Sequence, residues 1–583
     1  MRGLAGVLNL DGGLACPTVL GESRLGTAGP VGMAGPQSHA TSSGLLIALD
    51  GRIDNREELK AALADTLHSE TDGELLIRAY QRWGEDSPSH ILGDFAYVIW
   101  DPRERRLFCA RDYLGIRPFC YFTDGRVFLW SSDPHQLLNH PAVPKRPNEA
   151  MVAEYLAADL CSLEETLYQG ILQLPPTHSI TVDSKGVRKQ RYWDADLARQ
   201  VRYKEDSEYE DCFRQAFREA VRCRLRSPGP VGAELSGGVD SSCVVGMCQS
   251  LFRDGIASGQ GFETFALVFP GHACDETAYQ HQVVQFWNLK SNEVPVPPDP
   301  LWYFDCARRY LDMPDHANCH MSDFPAVLAR QKGIRVMLTG LGGDDWFTGL
   351  APSQGSRARR ALHRLRTQPS FATLRSLSAG FAGLALTRMG WDRSERADHW
   401  IPEPFHSRTR RPAGEPLSQP SQRFASPAQR YLYECLSDPF RLHCLKMKDR
   451  ASARCGVEHR HPFHDRRLIE LSLALPPDQL WRGGQGKSIL RRAMKGLVPD
   501  EILQRNTKAE FSHASAQLFG SDSIAPVFHS LRIAEQGWVD PKQVSAIYQE
   551  FMSVYRSGNE TPPRGWPLSM ILGVELWFRA AFA

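Results

Sequence analysis

Two short segments carry the residue types from which a phosphate site is built. The first runs Val231-Gly232-Ala233-Glu234-Leu235 and continues as Ser236-Gly237-Gly238-Val239-Asp240-Ser241-Ser242. An apolar strand breaks at a glycine pair, and a helix with serines in its first turn follows. Glycines let the backbone approach a ligand and turn successive N–H groups inward, and a helix N-terminus adds partial positive charge. Ser236, Gly237, Gly238, Ser241 and Ser242 therefore read as a pyrophosphate loop. Asp240, at its edge, would be repelled by phosphate without a cation between them, which makes it a candidate Mg2+ ligand. The second segment is Val336-Met337-Leu338-Thr339-Gly340-Leu341-Gly342-Gly343-Asp344-Asp345, again an apolar strand that breaks into glycines and ends in carboxylates. Ligands of a parallel sheet bind at the carboxyl ends of its strands. Asp240 and Asp344 can then face one site and share one metal ion, although they lie 104 residues apart (240 and 344). The plain alternative is two unrelated turns whose aspartates cap helices.

The elements needed to position these loops are legible around them. From about Glu205, helical patterns such as residues 208–225 alternate with isolated apolar strands at 231–235, 264–269 and 336–339. That alternation predicts an α/β fold with a doubly wound parallel sheet. The first 200 residues differ: short apolar runs at 44–49, 95–100, 106–110, 127–131 and 179–182 are separated by Gly, Pro and Asp turns, which predicts a β-rich domain. One helix interrupts it at 71–83, where Leu75, Leu76, Ala79 and Tyr80 recur on one face. The polar stretch 194–207 is the expected boundary, giving domains at 1–200 and 205–583. Within the second, residues 351–427 are rich in Arg, Ser, Gly and Pro; Arg357, Arg359, Arg360, Arg364 and Arg366 occur there without a nearby acid. This stretch is either a solvated helix or loop, or a docking surface for an acidic or peptidic partner.

Composition narrows the function classes. The 583 residues are 42% hydrophobic and 23% charged, which excludes disorder or a fibrous architecture for the whole. A net charge of +1 gives no global field for nucleic acid or an anionic membrane, so any affinity for anions is local. The 14 cysteines are scattered singly, with no Cys-x-x-Cys pair, as expected of reduced, buried thiols. The opening Met1-Arg2-Gly3-Leu4-Ala5-Gly6-Val7-Leu8 is too short an apolar run for a signal peptide before Asp11, and no run approaches the ~18 apolar residues of a membrane span. The cytoplasm is the expected location.

The motifs also carry a resemblance. Ser236 to Ser242 resembles the pyrophosphate loop of the N-type ATP pyrophosphatases. Apart from the region after 351, nearly the whole chain resembles the asparagine synthetase family. The N-terminal half does so through Asp50-Gly51-Arg52-Ile53-Asp54-Asn55-Arg56-Glu57-Glu58-Leu59, Gly93-Asp94-Phe95-Ala96-Tyr97 and Ala110-Arg111-Asp112-Tyr113-Leu114-Gly115-Ile116-Arg117-Pro118. The C-terminal half does so through Gly456-Val457-Glu458-His459-Arg460-His461-Pro462-Phe463-His464-Asp465 and Gly486-Lys487-Ser488-Ile489-Leu490-Arg491. The resemblance implies an α+β, Ntn-hydrolase-like (glutaminase-like) β-sandwich domain followed by an ATP-pyrophosphatase (adenine nucleotide α-hydrolase-like) domain. It implies ATP and Mg2+ as cofactors, with Lys487 facing the α-phosphate and pyrophosphate and the adenosine lying against Leu235, Leu267, Thr339 and Gly340. Asp240, Asp344 and Lys487 are then the catalytic residues. His459, His461 and His464 with Cys455 nearby resemble a zinc cluster in composition only; their spacing is the family's, where such positions pack or line a substrate pocket.

Departures from the family pattern point to a branch. Glutamine-dependent members carry a nucleophilic cysteine at position 2, and this chain has Arg2, its first cysteine being Cys16. The family's Arg-Gly-Pro-Asp segment is here Ala34-Gly35-Pro36-Gln37, and its oxyanion-supporting Asn-Gly is Asp50-Gly51. The glutamate linked to ammonia capture in the second loop is Leu341. The expected reading is a glutaminase-inactive branch most like the lasso-peptide cyclases, or macrolactam synthetases. Such an enzyme adenylates an Asp or Glu side chain of a linear core peptide, which the peptide's N-terminal amine then attacks, releasing AMP and pyrophosphate. The leader peptidase and a precursor-recognition protein are candidate partners, and no nucleic acid or membrane partner is expected. A β-lactam synthetase-like enzyme, an ammonia-dependent asparagine synthetase-like ligase and a catalytically silent ATP-binding scaffold stay open as alternatives.

Overall fold

The computed structural model describes residues 3–10, 19–20, 23–24, 26–28, 31–40, 44–64, 67, 69–257, 261–314, 318–349, 400–409, 423–509, 511–559, 562 and 565–583. Arg2, Cys16 and most of the Arg-rich stretch 351–427 lie outside the described residues.

Strand Gly93–Asp101 is apolar almost throughout because both its faces are covered. Ala96, Val98 and Trp100 point between two six-stranded antiparallel sheets, where they meet Leu107, Cys109, Phe119, Phe128 and Trp130. Phe95, Tyr97 and Ile99 point the other way, beneath helices Arg56–Leu63 and Asp72–Trp83. The second helix is the one expected at 71–83; it starts one residue later because Thr71 is its cap, its hydroxyl accepting from the Glu74 N–H at 3.2 Å. Sequence reading missed Arg56–Leu63, which buries only Leu59 and Leu63, and Glu149–Leu156. The outer face of the other sheet, with Val7, Cys120, Phe122 and Leu129, shares one apolar core with the C-terminal helices Pro541–Arg556 and Gly565–Phe582. Residues 192–205 contain no helix or strand.

Five parallel strands build the second half: β1 Val231–Glu234, β2 Phe262–Val268, β3 Ser291–Pro295, β4 Val336–Leu338 and β5 Glu458–Arg460, in the order β3-β2-β1-β4-β5. On one face Ala233, Val336 and Leu338 pack with Phe213, Phe217, Val244 and Met247 of helices Asp206–Arg224 and Val239–Arg253. On the other, Phe265, Val294 and Met337 pack with Ala326 and Ala329 of helix Asp323–Gln331. Helices thus cover both faces, as the alternating pattern predicts. The chain leaves β1 in one direction and returns through β4 on its other side, so the crevice at this topological switch lies between the two strands that carry the glycine loops.

The free edge of β5 meets the N-terminal half through buried charges. Arg52, paired with Asp54 at 3.0 Å and Asp94 at 2.6 Å, reaches Glu458 at 3.2 Å, and Arg224, paired with Asp465 at 2.6 Å, lies 3.5 Å from Asp54. Arg117 holds both Asp449 and Glu458 at 2.9 Å, while Arg460 pairs with Glu458 at 2.9 Å. Of the thirteen described cysteines, the expectation of burial holds for only eight; Cys161 is exposed and Cys212, Cys319, Cys444 and Cys455 are half-buried. Among the described residues no helix is long and apolar enough to cross a membrane.

Candidate active site

The two loops lie directly on one another. Within the first, the Ser241 hydroxyl accepts from the Ser236 N–H at 3.2 Å and lies 3.0 Å from the Ser236 hydroxyl, which accepts from the Gly238 N–H at 3.3 Å. Gly237 adopts φ +76°, and a Cβ there would sit 2.8 Å from Cβ of Tyr279. The close approach between loops depends on glycine too. A Cβ on Gly340 would lie 2.6 Å from the Ser241 nitrogen, and one on Gly343 2.4 Å from the Asp240 carboxyl carbon. Ser242, by contrast, is fully buried in the first helical turn, so it supports the loop from behind.

This stacking brings Asp240 and Asp344 to one cation. Lys487 Nζ contacts Asp240 Oδ2 and lies 2.8 Å from Asp344 Oδ1. Lys487 follows a two-strand ribbon, Trp481–Arg482 with Gln485–Gly486, and precedes helix Ser488–Ala493. Its backbone takes the left-handed conformation, φ 59°, uncommon for a non-glycine residue, and its N–H donates to the Phe347 carbonyl at 3.1 Å. Burial pushes the Asp240 carboxyl above its ordinary pKa against the pull of Lys487. Burial also disfavours the Lys487 ammonium, but the two flanking carboxylates outweigh it and hold its pKa above the usual value. Two carboxylates converging on one positive charge are a donor set suited to a hard divalent cation, and Asp240 Oδ1 is buried without a hydrogen-bond partner. The residues present therefore fit Mg2+.

The remaining expected site residues sit at the same carboxyl ends but do not form one wall. Leu235 packs into the core on one face of the sheet, and Leu267 among the clusters on the other. Thr339 is buried, with its hydroxyl 2.6 Å from His461 Nδ1. His464 accepts from the Trp346 indole at 3.0 Å and packs under Gly342. Burial lowers the pKa of His459 and His464 to about 4, so both are neutral at pH 7. His461 and His464 pack beneath the second loop, and His459 lies beside Glu234 of β1. Among the described residues, the grouping of His, Cys, Asp and Glu with metal-like spacing is instead Asp54, Cys223 and Asp465.

Sequence reading missed three neighbours. Lys508 Nζ lies 2.8 Å from Asp344 Oδ2. Arg505 donates to the Gly237 carbonyl at 3.1 Å and pairs with Glu276. Glu234, at the end of β1, pairs with Lys448 at 2.9 Å and lies 3.6 Å from His459. The cluster of cations in Arg505-Asn506-Thr507-Lys508 was the available signal, but no local spacing rule connects it to residues 164 or more positions earlier. In the N-terminal half, Asp50 is buried, accepts from the Ser132 hydroxyl at 3.4 Å, and lies 3.8 Å from Arg117; burial raises its pKa. Gln37 donates to the Gly51 carbonyl at 2.9 Å. Leu341 is 39% exposed at the lip of the second loop.

A family model described as asparagine synthase matches residues 212–579, more than half of the sequence, and one described as a glutamine amidotransferase domain matches residues 14–193. The chain belongs to the asparagine synthase family. Glutamine-hydrolyzing asparagine synthetase 3 of Bacillus subtilis (strain 168) is 26% identical over 475 residues, covering 79% of this chain and 74% of that relative. A putative glutamine-hydrolyzing asparagine synthetase 2 of Methanocaldococcus jannaschii is 29% identical over 318 residues, covering 52% of this chain and 59% of its own. Among solved structures, the glutamine phosphoribosylpyrophosphate amidotransferase of B. subtilis covers 63% of this chain and 73% of its own at 12% identity; its TM-score of 0.23 is too low to bear on fold or function. Within the asparagine synthase family, then, the loops and Lys487 of this member are contributed by the matched synthase segment.

Proposed function

We propose that this chain is an ATP-dependent amide ligase of the glutaminase-inactive, lasso-peptide cyclase type, with residues 1–200 as a relict glutaminase-like domain and 205–583 as the synthetase domain. The observation that carries the activation chemistry is the convergence of Asp240, Asp344 and Lys487 where the two glycine loops stack. A carboxylate of the linear core peptide attacks the α-phosphorus of ATP, the bond to the β-phosphate oxygen breaks, and pyrophosphate leaves. Lys487 places positive charge where charge develops on the leaving group. Mg2+, held by Asp240 and Asp344, would supply further charge neutralisation to the phosphates. The N-terminal amine of the same peptide then attacks the acyl-adenylate, AMP leaves, and an isopeptide ring closes. Holding amine and acyl carbon together is the main remaining contribution of the protein.

Support for an amine supplied by the substrate comes from three positions. Leu341 gives the lip of the site an apolar side chain instead of a carboxylate. Asp50 replaces the Asn of the family's oxyanion-supporting Asn-Gly, and Gln37 turns to the Gly51 carbonyl. Arg2, the fourth departure, stands where a nucleophilic cysteine would be needed. The relatives, named as glutamine-hydrolyzing asparagine synthetases, favour a second reading, an asparagine synthetase-like amide ligase. One experiment separates them: protein, ATP, Mg2+ and a linear core peptide are incubated and analysed by mass spectrometry, beside a reaction with aspartate and ammonia or glutamine. The cyclase reading expects loss of one water from the peptide with AMP formation; ADP formation, no dependence on peptide, or asparagine production overturns it.

A further inference from the structure

Glu234 is a carboxylate at the carboxyl end of β1 that the activation chemistry leaves unused. It lies two residues before Ser236 of the phosphate loop. Successive side chains of a strand point to opposite faces, so Leu235 enters the core on one face while Glu234 turns to the other, as Gly232 does. Met337 of β4 stands in register with both Gly232 of β1 and His459 of β5, which sets these positions in one row on the face covered by helix Asp323–Gln331. Glu234 reaches across β4 towards His459, whose Nε2 lies 3.6 Å from its Oε1. From the covering layer, Lys448 of helix Pro439–Cys455 sets its Nζ 2.9 Å from the same oxygen and 3.1 Å from the Ser322 hydroxyl.

Two features separate this group from an ion pair that only holds elements together. The Glu234 side chain is 26% exposed, and its Oε2 has no hydrogen-bond partner among the described residues. His459 is the reverse: it is buried, yet neither of its ring nitrogens has a partner. A buried imidazole left unsatisfied costs stability unless a polar group comes to it. Burial disfavours the Glu234 carboxylate, but Lys448 outweighs burial and holds its pKa below the ordinary value, so it stays an acceptor. Lys448 and His459 are the titratable groups that face it. Glu458, one residue along β5, turns to the opposite face and pairs with Arg117 and Arg460.

A bare carboxylate would hold an amine as its ammonium, which has no lone pair with which to attack. A carboxylate already neutralised by a lysine accepts a hydrogen bond from a neutral amine without favouring its protonation. We infer that Glu234, with Lys448 and His459 beside it, receives the attacking amine of the second half-reaction in its neutral form. This rests on the ATP-activation reading above, whose acyl-adenylate is what the amine attacks. The amine nitrogen bonds to the acyl carbon, the bond from that carbon to the phosphate oxygen breaks, and AMP leaves with the electron pair. The surplus proton on the nitrogen passes to Glu234 Oε2 and on to solvent. With Leu341 in the second loop, the acceptor is supplied from β1 instead.

Ligand-observed NMR on the full chain tests it with glycinamide, whose amine and amide stand in for a peptide N-terminus, and with N-acetylglycinamide, which lacks the amine. For the native protein, glycinamide affinity is expected to rise with pH through the α-amino value of about 8, while N-acetylglycinamide does not bind. Glu234→Leu should weaken glycinamide about tenfold in the alkaline range, the scale of a hydrogen bond to a charged group. Lys448→Met leaves a bare carboxylate, so the preference should invert, with tighter binding below about pH 8 than above it. Equal binding of the two probes, tighter binding of the ammonium form by the native protein, or no loss in Glu234→Leu overturns the amine site; the native measurement decides even where a variant fails to fold. A pH trend shared by Lys448→Met and the native protein overturns the neutral-amine role. MgATP is titrated alongside: a native chain that binds MgATP but not glycinamide loses only the amine site, and one that binds neither loses the ATP-activation reading as well.

Discussion

Two acidic clusters in this chain, one buried and one half-exposed, meet very different fates. Asp54, Cys223 and Asp465 have the spacing of metal ligands, yet they are filled by guanidinium groups. Arg52 forks onto Asp54 at 3.0 and 3.1 Å, Arg224 reaches Asp465 at 2.6 Å, and Arg467 adds two bonds to Asp465 at 2.8 and 2.9 Å. Burial raises the Cys223 thiol to about 12, so it stays protonated and is a poor ligand. Asp240 and Asp344 meet lysines instead, and one oxygen of Asp240 is left unbonded. Planar forks occupy the carboxylate lone pairs from fixed directions, whereas ammonium groups on flexible stems can be displaced. Ligand spacing is therefore shared by a cluster locked by guanidinium forks and is absent as a three-residue grouping where lysines answer Asp240 and Asp344; the two clusters differ in the kind of cation that answers the carboxylates.

Substitutions in the two clusters should separate accordingly. Asp240→Asn is expected to lower peptide-dependent ATP–pyrophosphate exchange by about 10³-fold with little change in thermal midpoint. Retained exchange would remove Asp240 from the cation site. Asp465→Ala should do the reverse, costing about 3–5 kcal/mol in urea unfolding because Arg224 is left buried and uncompensated. A cost below about 1 kcal/mol would place this lattice with exposed pairs. Arg224 and Arg467 hold the Asp465 pKa below its ordinary value against burial, so its stabilisation is present above the usual carboxylate range and is lost as pH falls through the lowered folded pKa. Gly343→Ala tests whether loop stacking matters: a methyl 2.4 Å from the Asp240 carboxyl carbon must displace it, and about 10²-fold loss of exchange is expected with Tm nearly unchanged. The smallest effect is a slope. His459 and His464 are depressed from 6.5 to about 4, so the unfolded chain binds more protons between those values and stability falls as pH falls from 6.5 towards 4. Each contributes up to about 1.4 kcal/mol per pH unit, and His459→Asn should lower that slope by one proton in denaturant titrations across the range.

The first loop was legible because its chemistry is local: strand, glycine pair and helix start follow one another in a dozen residues. The second loop was legible for the same reason. Lys487 became visible only by resemblance, since a lysine after a glycine ribbon has no distinctive local pattern, and Lys508 was missed because the contact with Asp344 is made by the fold. The antiparallel sheets were readable from their apolar runs, and Gly93–Asp101 shows why: with both faces covered, the run is nearly unbroken. Short helices such as Arg56–Leu63 bury two residues and leave too weak a periodicity. Leu235 and Leu267, grouped by resemblance, fall on opposite sheet faces because they leave adjacent strands with opposite side-chain parity.

Gly343 meets Asp240 only after β4 has paired in register with β1, across more than a hundred intervening residues. Contacts of that sequence separation form late, because the entropy of closing so long a loop must be overcome before they reward it. The stacking of the two loops is thus expected to be a late product of folding. A ligand that binds only the paired sheet shifts the equilibrium toward it by mass action, so on the proposed ATP-activation reading ATP would act as a folding ligand for this chain as well as its substrate.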